Sequence, residues 1–240
     1  MALIEMNFYS AVLTTAASAM YVIPQEAAPK DSYPVVWLLP PAGMDHKAWQ
    51  RHTRIEAIAE RYGFIAAMPL LQLSYGMDMV HGMKYYTMLT KELPALTATY
   101  FSVDLSKQLI VGTEETVYAA MKATIENQGM YTAALGLSAG SLTDETWNSE
   151  KARELSHVFG CDNMSALQGT DKDLNVLAAD SQADLTLVYG LQDQYAASAK
   201  KLGDTLMTAA NGCVRVFDKQ MSWEDWEAAV ETFVAEHLQA

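Results

Sequence analysis

Cysteine is scarce in this chain: Cys161 and Cys213 are the only two among 240 residues. Two thiols without metal-ligand spacing exclude a disulfide framework and a cysteine metal site, and they read as reduced core or loop residues. Basic residues are also short, with 16 Lys and Arg against 29 Asp and Glu, a formal net charge of −13 that no Lys/Arg cluster offsets locally. Such a balance repels phosphate backbones and anionic lipid surfaces, so neither nucleic acid nor membrane is expected as a partner. Low-complexity blocks, internal repeats and linkers are missing too. With 50% apolar and 19% charged residues, the chain reads as one globular domain spanning 1–240. No charge occurs between Glu5 and Glu26, yet nothing basic precedes this apolar stretch, and Asn7, Ser10, Thr14, Thr15 and Ser18 interrupt it. It does not read as a signal peptide, and a cytoplasmic location is expected.

What is present is a regular alternation of strand and helix signals. Met6–Ser10 and Ala19–Pro24 read as two antiparallel strands. Tyr33–Leu39 and Phe64–Pro69 are nearly continuous apolar runs, as expected of strands buried on both faces. A helix is expected over Trp49–Arg61, then a long loop from Leu70 to Met79 and a helix over Gly82–Thr99. Strands at Leu109–Val111, Tyr131–Leu135, Leu185–Tyr189 and Cys213–Phe217, with helices from Val117 and over Trp223–Leu238, continue the alternation. The pattern implies an α/β fold with a mostly parallel, doubly wound sheet and an N-terminal antiparallel strand pair.

One junction in this pattern carries chemistry. The apolar run Lys107–Val111 is followed by Gly112-Thr113-Glu114-Glu115-Thr116, and then by apolar residues at helical spacing from Val117 to Ile125. Strand, sharp Gly turn and helix in that order define the nucleophile elbow of an α/β-hydrolase, where a G-x-S-x-G turn lifts a serine oxygen above the sheet. Here a carboxylate, Glu114, stands in the serine's place. A literal G-x-S-x-G occurs at Gly136-Leu137-Ser138-Ala139-Gly140, but the stretch behind it, Ser141–Phe159, is dense in charged residues. An elbow helix packed under the sheet should be mostly apolar, so Ser138 reads as a chance match.

Further segments carry a resemblance. They include Met6-Asn7-Phe8-Tyr9-Ser10, Met44-Asp45-His46-Lys47-Ala48-Trp49, Lys84-Tyr85-Tyr86-Thr87, Gly190-Leu191-Gln192-Asp193 and Trp223-Glu224-Asp225-Trp226. From Glu5 nearly to its end the chain is similar to the tributyrin-esterase and esterase D group of α/β-hydrolases, which includes the S-formylglutathione hydrolases. The resemblance implies hydrolysis of small carboxylic esters or thioesters by a Ser, Asp, His triad, with no cofactor and no metal. Matched position by position, the serine falls on Glu114, the aspartate is kept as Asp193, and the histidine falls on Met221. The oxyanion-loop positions fall on Pro40, Pro41 and Glu115, and proline has no N–H to donate. His81 and Trp223 are pocket candidates. Related hydrolases often form homo-oligomers, to which Trp147, Trp223 and Trp226 could contribute if they are not core.

Acyl transfer needs a nucleophile activated by a general base, and donors for the tetrahedral oxyanion. A carboxylate and a thioether at the serine and histidine positions supply neither nucleophile nor base. None of the five histidines offers a replacement: His46 reads as a hydrogen-bonded loop residue, His52, His157 and His237 as surface residues, and His81 as a loop residue near the pocket. Three readings stay open. The chain is a catalytically degenerate homologue with a small-molecule or interaction role; or an active ester hydrolase using Ser138 or a non-standard site; or the holder of an acidic pocket in which Glu114, Asp193 and Glu115 take up a cation or amine.

Overall fold

The structure, a computed structural model, describes residues 1–26, 31–140, 142 and 149–239. Strand β1 (Ala2–Ser10) pairs antiparallel with β2 (Thr15–Ile23). Along β1 every second residue is exposed, the period of a strand with one wet face. The strands β3 (Tyr33–Leu38) and β4 (Ile65–Pro69) are buried almost throughout, which is why they read as unbroken apolar runs.

Between them the expected single helix is two, α1 (Ala48–His52) and α2 (Ile55–Tyr62). Thr53 breaks it: its backbone is extended, and its hydroxyl donates to Trp49 O and accepts from Ile55 N. The buried carboxylate of Glu227 holds the Arg54 amide and guanidinium at the joint. Neither tie leaves a trace in hydrophobic periodicity.

The next helical segment begins at Tyr85 rather than Gly82. Asp78 accepts hydrogen bonds from the amide and hydroxyl of Thr87, and Met79 N donates to Met83 O, so Gly82 lies in a tight loop. The segment comprises α3 (Tyr85–Thr87), a π-helical stretch Met88–Glu92, and α4 (Leu93–Tyr100). Pro94 offers no amide hydrogen, and a π-bulge just before it absorbs the missing bond.

Strand β5 (Val103–Thr113) is longer than its apolar centre suggests. After it come α5 (Val117–Glu126), β6 (Tyr131–Leu137), α6 (Ser149–Phe159), α7 (Leu174–Ala179), β7 (Asp184–Gly190), α8 (Ala196–Leu206), β8 (Gly212–Phe217) and α9 (Trp223–Leu238). The first part of the charged stretch after Ser138, with Trp147, lies outside the described residues. The eight strands form one sheet in the order β1-β2-β4-β3-β5-β6-β7-β8, parallel from β4 onward. One apolar layer joins the sheet to α3 through α8, and a second joins the other face to α1, α2 and α9. Among the described residues no helix is long and apolar enough to cross a membrane.

The last helix is tied to the sheet by a titratable group. His237 Nε2 lies 3.2 Å from Asp184 Oδ2, and its Nδ1 lies 2.8 Å from Phe233 O. Only the imidazolium can donate to both. The Asp184 hydrogen bond, opposed by burial and aided by Phe233, raises the His237 pKa above 6.5. A raised histidine stabilises most fully below its unfolded value, and the contribution fades as pH rises through the folded value. In urea titrations His237→Gln is expected to cost up to about 1 kcal/mol near pH 5.5 and clearly less near pH 9, because the half-exposed Asp184 weakens the pair.

Candidate functional site

The site is built on the turn between β5 and α5. Glu114 has a φ of +49°, left-handed backbone that residues with a β-carbon avoid, and a short 3-10 turn, Glu114–Thr116, leads into α5. Thr116 locks the turn, its hydroxyl accepting from Thr113 N and donating to Thr113 O. Gly112 lets strand and helix touch, since a β-carbon there would lie 2.5 Å from Thr116 O and 2.6 Å from Val117 Cα. Val117, Tyr118, Ala119, Ala120, Met121 and Ala123 of α5 are buried, the apolar helix expected behind the turn.

Glu114 is half-buried. Burial, aided by the negative charges of Glu115 and Asp193 and opposed by Lys151, pushes its pKa up to about 7. Glu115 is only 2% exposed. Its Oε1 accepts from Lys151 Nζ at 2.5 Å and from the Tyr195 hydroxyl at 3.1 Å, while its Oε2 is buried without a hydrogen-bond partner among the described residues. Lys151 also bonds the Tyr195 hydroxyl and lies 4.9 Å from that ring's centre. Burial works against the lysine's charge, but Glu115 and Tyr195 prevail and raise its pKa. Tyr75 approaches from the β4–α3 connection and donates to Glu154 of α6.

Asp193 follows β7. Its Oδ2 accepts from Gly190 N at 2.8 Å and its Oδ1 from Met221 N at 2.7 Å. The Met221 side chain is buried in the apolar layer under α9, with Val188 and Trp226. Two backbone amides therefore hold the carboxylate that, in a working triad, would orient an imidazole. Ser138 also has a left-handed φ, +52°, one strand over from Glu114 in the β5–β6 register. It is 3% exposed, and its hydroxyl accepts from Trp226 Nε1 at 3.0 Å. An indole N–H donates only and takes no proton from a hydroxyl.

The other sequence candidates make contacts of their own. Pro40 and Pro41 are buried after β3, with Pro41 O accepting from Met44 N. His81 is exposed, its amide bonded to His157 O at the end of α6. Trp223 packs against His52, Trp49 and Trp226. His46 is buried with Nε2 3.2 Å from Glu5 Oε1, and His237 is half-buried rather than a surface residue.

No protein-family model matches the chain, and no curated protein sequence is significantly similar to it. Solved structures are similar throughout its length. FphF, a fluorophosphonate-binding serine hydrolase of Staphylococcus aureus, matches with a TM-score of 0.84 at 19% identity, over 99% of this chain and 98% of that one. The S-formylglutathione hydrolase FrmB of the same organism gives 0.81 at 20%, over 99% and 98%. The S-formylglutathione hydrolase of Agrobacterium tumefaciens gives 0.82 at 16%, over 98% and 95%. This chain has the α/β-hydrolase fold.

In an α/β-hydrolase a turn that joins a sheet strand to its helix presents the reacting atom, and Glu114 stands in the turn that joins β5 to α5. The sequence brought Glu114, Glu115 and Asp193 to notice, but not Lys151, Tyr195, Tyr75 or Glu154. Tyr195, two residues after Asp193, was within reach of sequence reasoning. Lys151 was hidden in a charged stretch that reads as a solvated face.

A carboxyl pKa raised above the ordinary 4.5 makes its stabilising contribution below that value and loses it as pH climbs through about 7. Glu114→Gln is therefore expected to match the parent near pH 4 and to exceed it by up to roughly 3 kcal/mol near pH 9. Urea midpoints across this range, with m-values compared, provide the check.

Proposed function

We propose that this chain is a catalytically degenerate homologue of the S-formylglutathione hydrolase and esterase D group, retaining its fold and using the polar pocket at the former elbow for binding rather than acyl transfer. The observation that carries this reading is the pairing of Glu114 at the left-handed turn with an Asp193 satisfied by backbone amides. A carboxylate attacking an ester would form an anhydride, and its turnover would still require a base to activate water. Met221, buried in the α9 layer, accepts no proton at neutral pH. In a subtilisin-type enzyme, loss of the serine or the histidine alone lowers turnover by ~10⁶-fold. The burial of Ser138 beneath Trp226 supports the same reading over an ester hydrolase built on Ser138.

The purified protein is expected to hydrolyse short-chain p-nitrophenyl esters no faster than an inert protein, and to resist labelling by a fluorophosphonate probe. Glu114→Ser alone should stay unlabelled for want of a base. Combined with Met221→His, it should acquire slow labelling that Asp193→Asn removes. Robust turnover by the parent, abolished by Ser138→Ala, would establish the active-hydrolase alternative instead.

A further inference from the structure

We propose that the free edge of β1 pairs antiparallel with β1 of a second copy of this chain, across a two-fold axis that sets Met6 opposite Met6. This edge is open whatever the elbow binds. β1 ends the eight-stranded sheet and pairs with β2 alone. In an antiparallel pair only alternate residues turn their N–H and C=O toward the neighbouring strand. The remaining residues of Ala2–Ser10 therefore turn theirs away from β2, and among the described residues no other backbone segment bonds to β1.

Edge strands commonly carry a device that blocks such pairing, such as a proline, a lysine, a bulge or an unpaired charge. β1 lacks these. It contains no proline or lysine, its register with β2 runs unbroken from Ala2 to Ser10, and Glu5 is its one charged residue. That charge is already paired, since Glu5 accepts from Lys47 Nζ at 2.7 Å and lies 3.2 Å from His46 Nε2. What β1 does expose is apolar surface, with Leu3 44% and Tyr9 71% exposed.

A second copy is the partner this edge fits, because the strand is complementary to itself. Met6 is the middle of the nine residues, so a two-fold there pairs the strand over its full length. On one face Leu3 then lies opposite the second copy's Tyr9, and Glu5 opposite its Asn7, whose side-chain amide can donate to the carboxylate. On the other face Ile4 lies opposite Phe8, and these half-buried side chains extend the apolar layer that already holds them. An axis at Glu5 would set two carboxylates against each other. The far edge of the sheet is less suited, as β8 has six residues and carries Arg215 in mid-strand. A single strand pair covers less than a standard interface, so the dimer is weak and reversible.

Sedimentation equilibrium tests the pairing, run across about 1–300 µM in about 0.3 M salt, which screens the −13 charge of each copy. Monomer and dimer are expected in exchange, with a dissociation constant of about 10 µM. Asn7→Glu sets two like-charge pairs across the axis and should weaken the dimer about tenfold, whereas Asn7→Lys sets two opposite-charge pairs and should tighten it about threefold. Shifts of opposite sign at one exposed position do not arise from loss of folding. Met6→Cys should yield a disulfide-linked dimer on mild oxidation that the parent, with Cys161 and Cys213, does not form, because opposed Cα atoms of antiparallel strands lie about 4.5–5.5 Å apart. A parent that stays monomeric throughout overturns the proposal. So does a dimer that neither Asn7 variant shifts, or that both shift in the same direction, and so does a Met6→Cys chain that folds but stays unlinked. A dimer weakened by Val216→Lys and indifferent to position 7 overturns it in favour of β8.

Discussion

A strand that ends in left-handed backbone and turns at once into a packed helix is the constraint on which this site depends. It requires Gly112, where any β-carbon would strike the start of α5, and it requires the Thr116 hydroxyl to close the turn on Thr113. It also fixes Glu114 at a φ that costs a residue with a β-carbon of order 1–3 kcal/mol. Serine would bear the same backbone cost there. A carboxylate in place of a hydroxyl there leaves the backbone cost alone and changes only what the apex can do.

What it changes is electrostatic. A serine apex is neutral, whereas Glu114 brings a charge next to Glu115 and within the field of Asp193, in a place where water is mostly excluded. Two features accompany that charge. Glu114 holds its proton up to about neutral pH, and Lys151 reaches in from α6 to engage Glu115 together with Tyr195. Removing one partner of a buried pair leaves the other charge uncompensated, so the two carboxylates of the turn differ in kind. Glu115 is held by the scaffold, while Glu114 is free to exchange its proton.

Most of the fold was legible in the sequence because its signals are local. Unbroken apolar runs gave β3 and β4, and helical spacing gave α5 and α9. The misplaced boundaries share one cause, a contact from far along the chain or from a side chain to backbone. Glu227 splits the helix after His52, and Asp78 holds back the start of α3. The site was legible at Glu114 and Asp193, where turn order and spacing survive. It was illegible at Lys151 and Tyr75, because nothing in a charged stretch or a loop tyrosine says that tertiary packing will bring both to the same elbow.

Two positions beside the elbow, Met221 and Ser138, show how packing takes up polar groups. Met221 contributes a backbone amide to Asp193 and a side chain to the layer under α9. The amides of Met221 and Gly190 satisfy the Asp193 carboxylate, and the Met221 thioether fills apolar space under α9. Ser138 has the left-handed turn and the flanking glycines of a nucleophile, yet its hydroxyl is consumed by the Trp226 indole. Sequence motif and backbone geometry agree there, while the hydroxyl accepts from an indole N–H. Reactivity depends on what the hydroxyl faces, and at Ser138 it faces a donor that pins α9 to the end of β6.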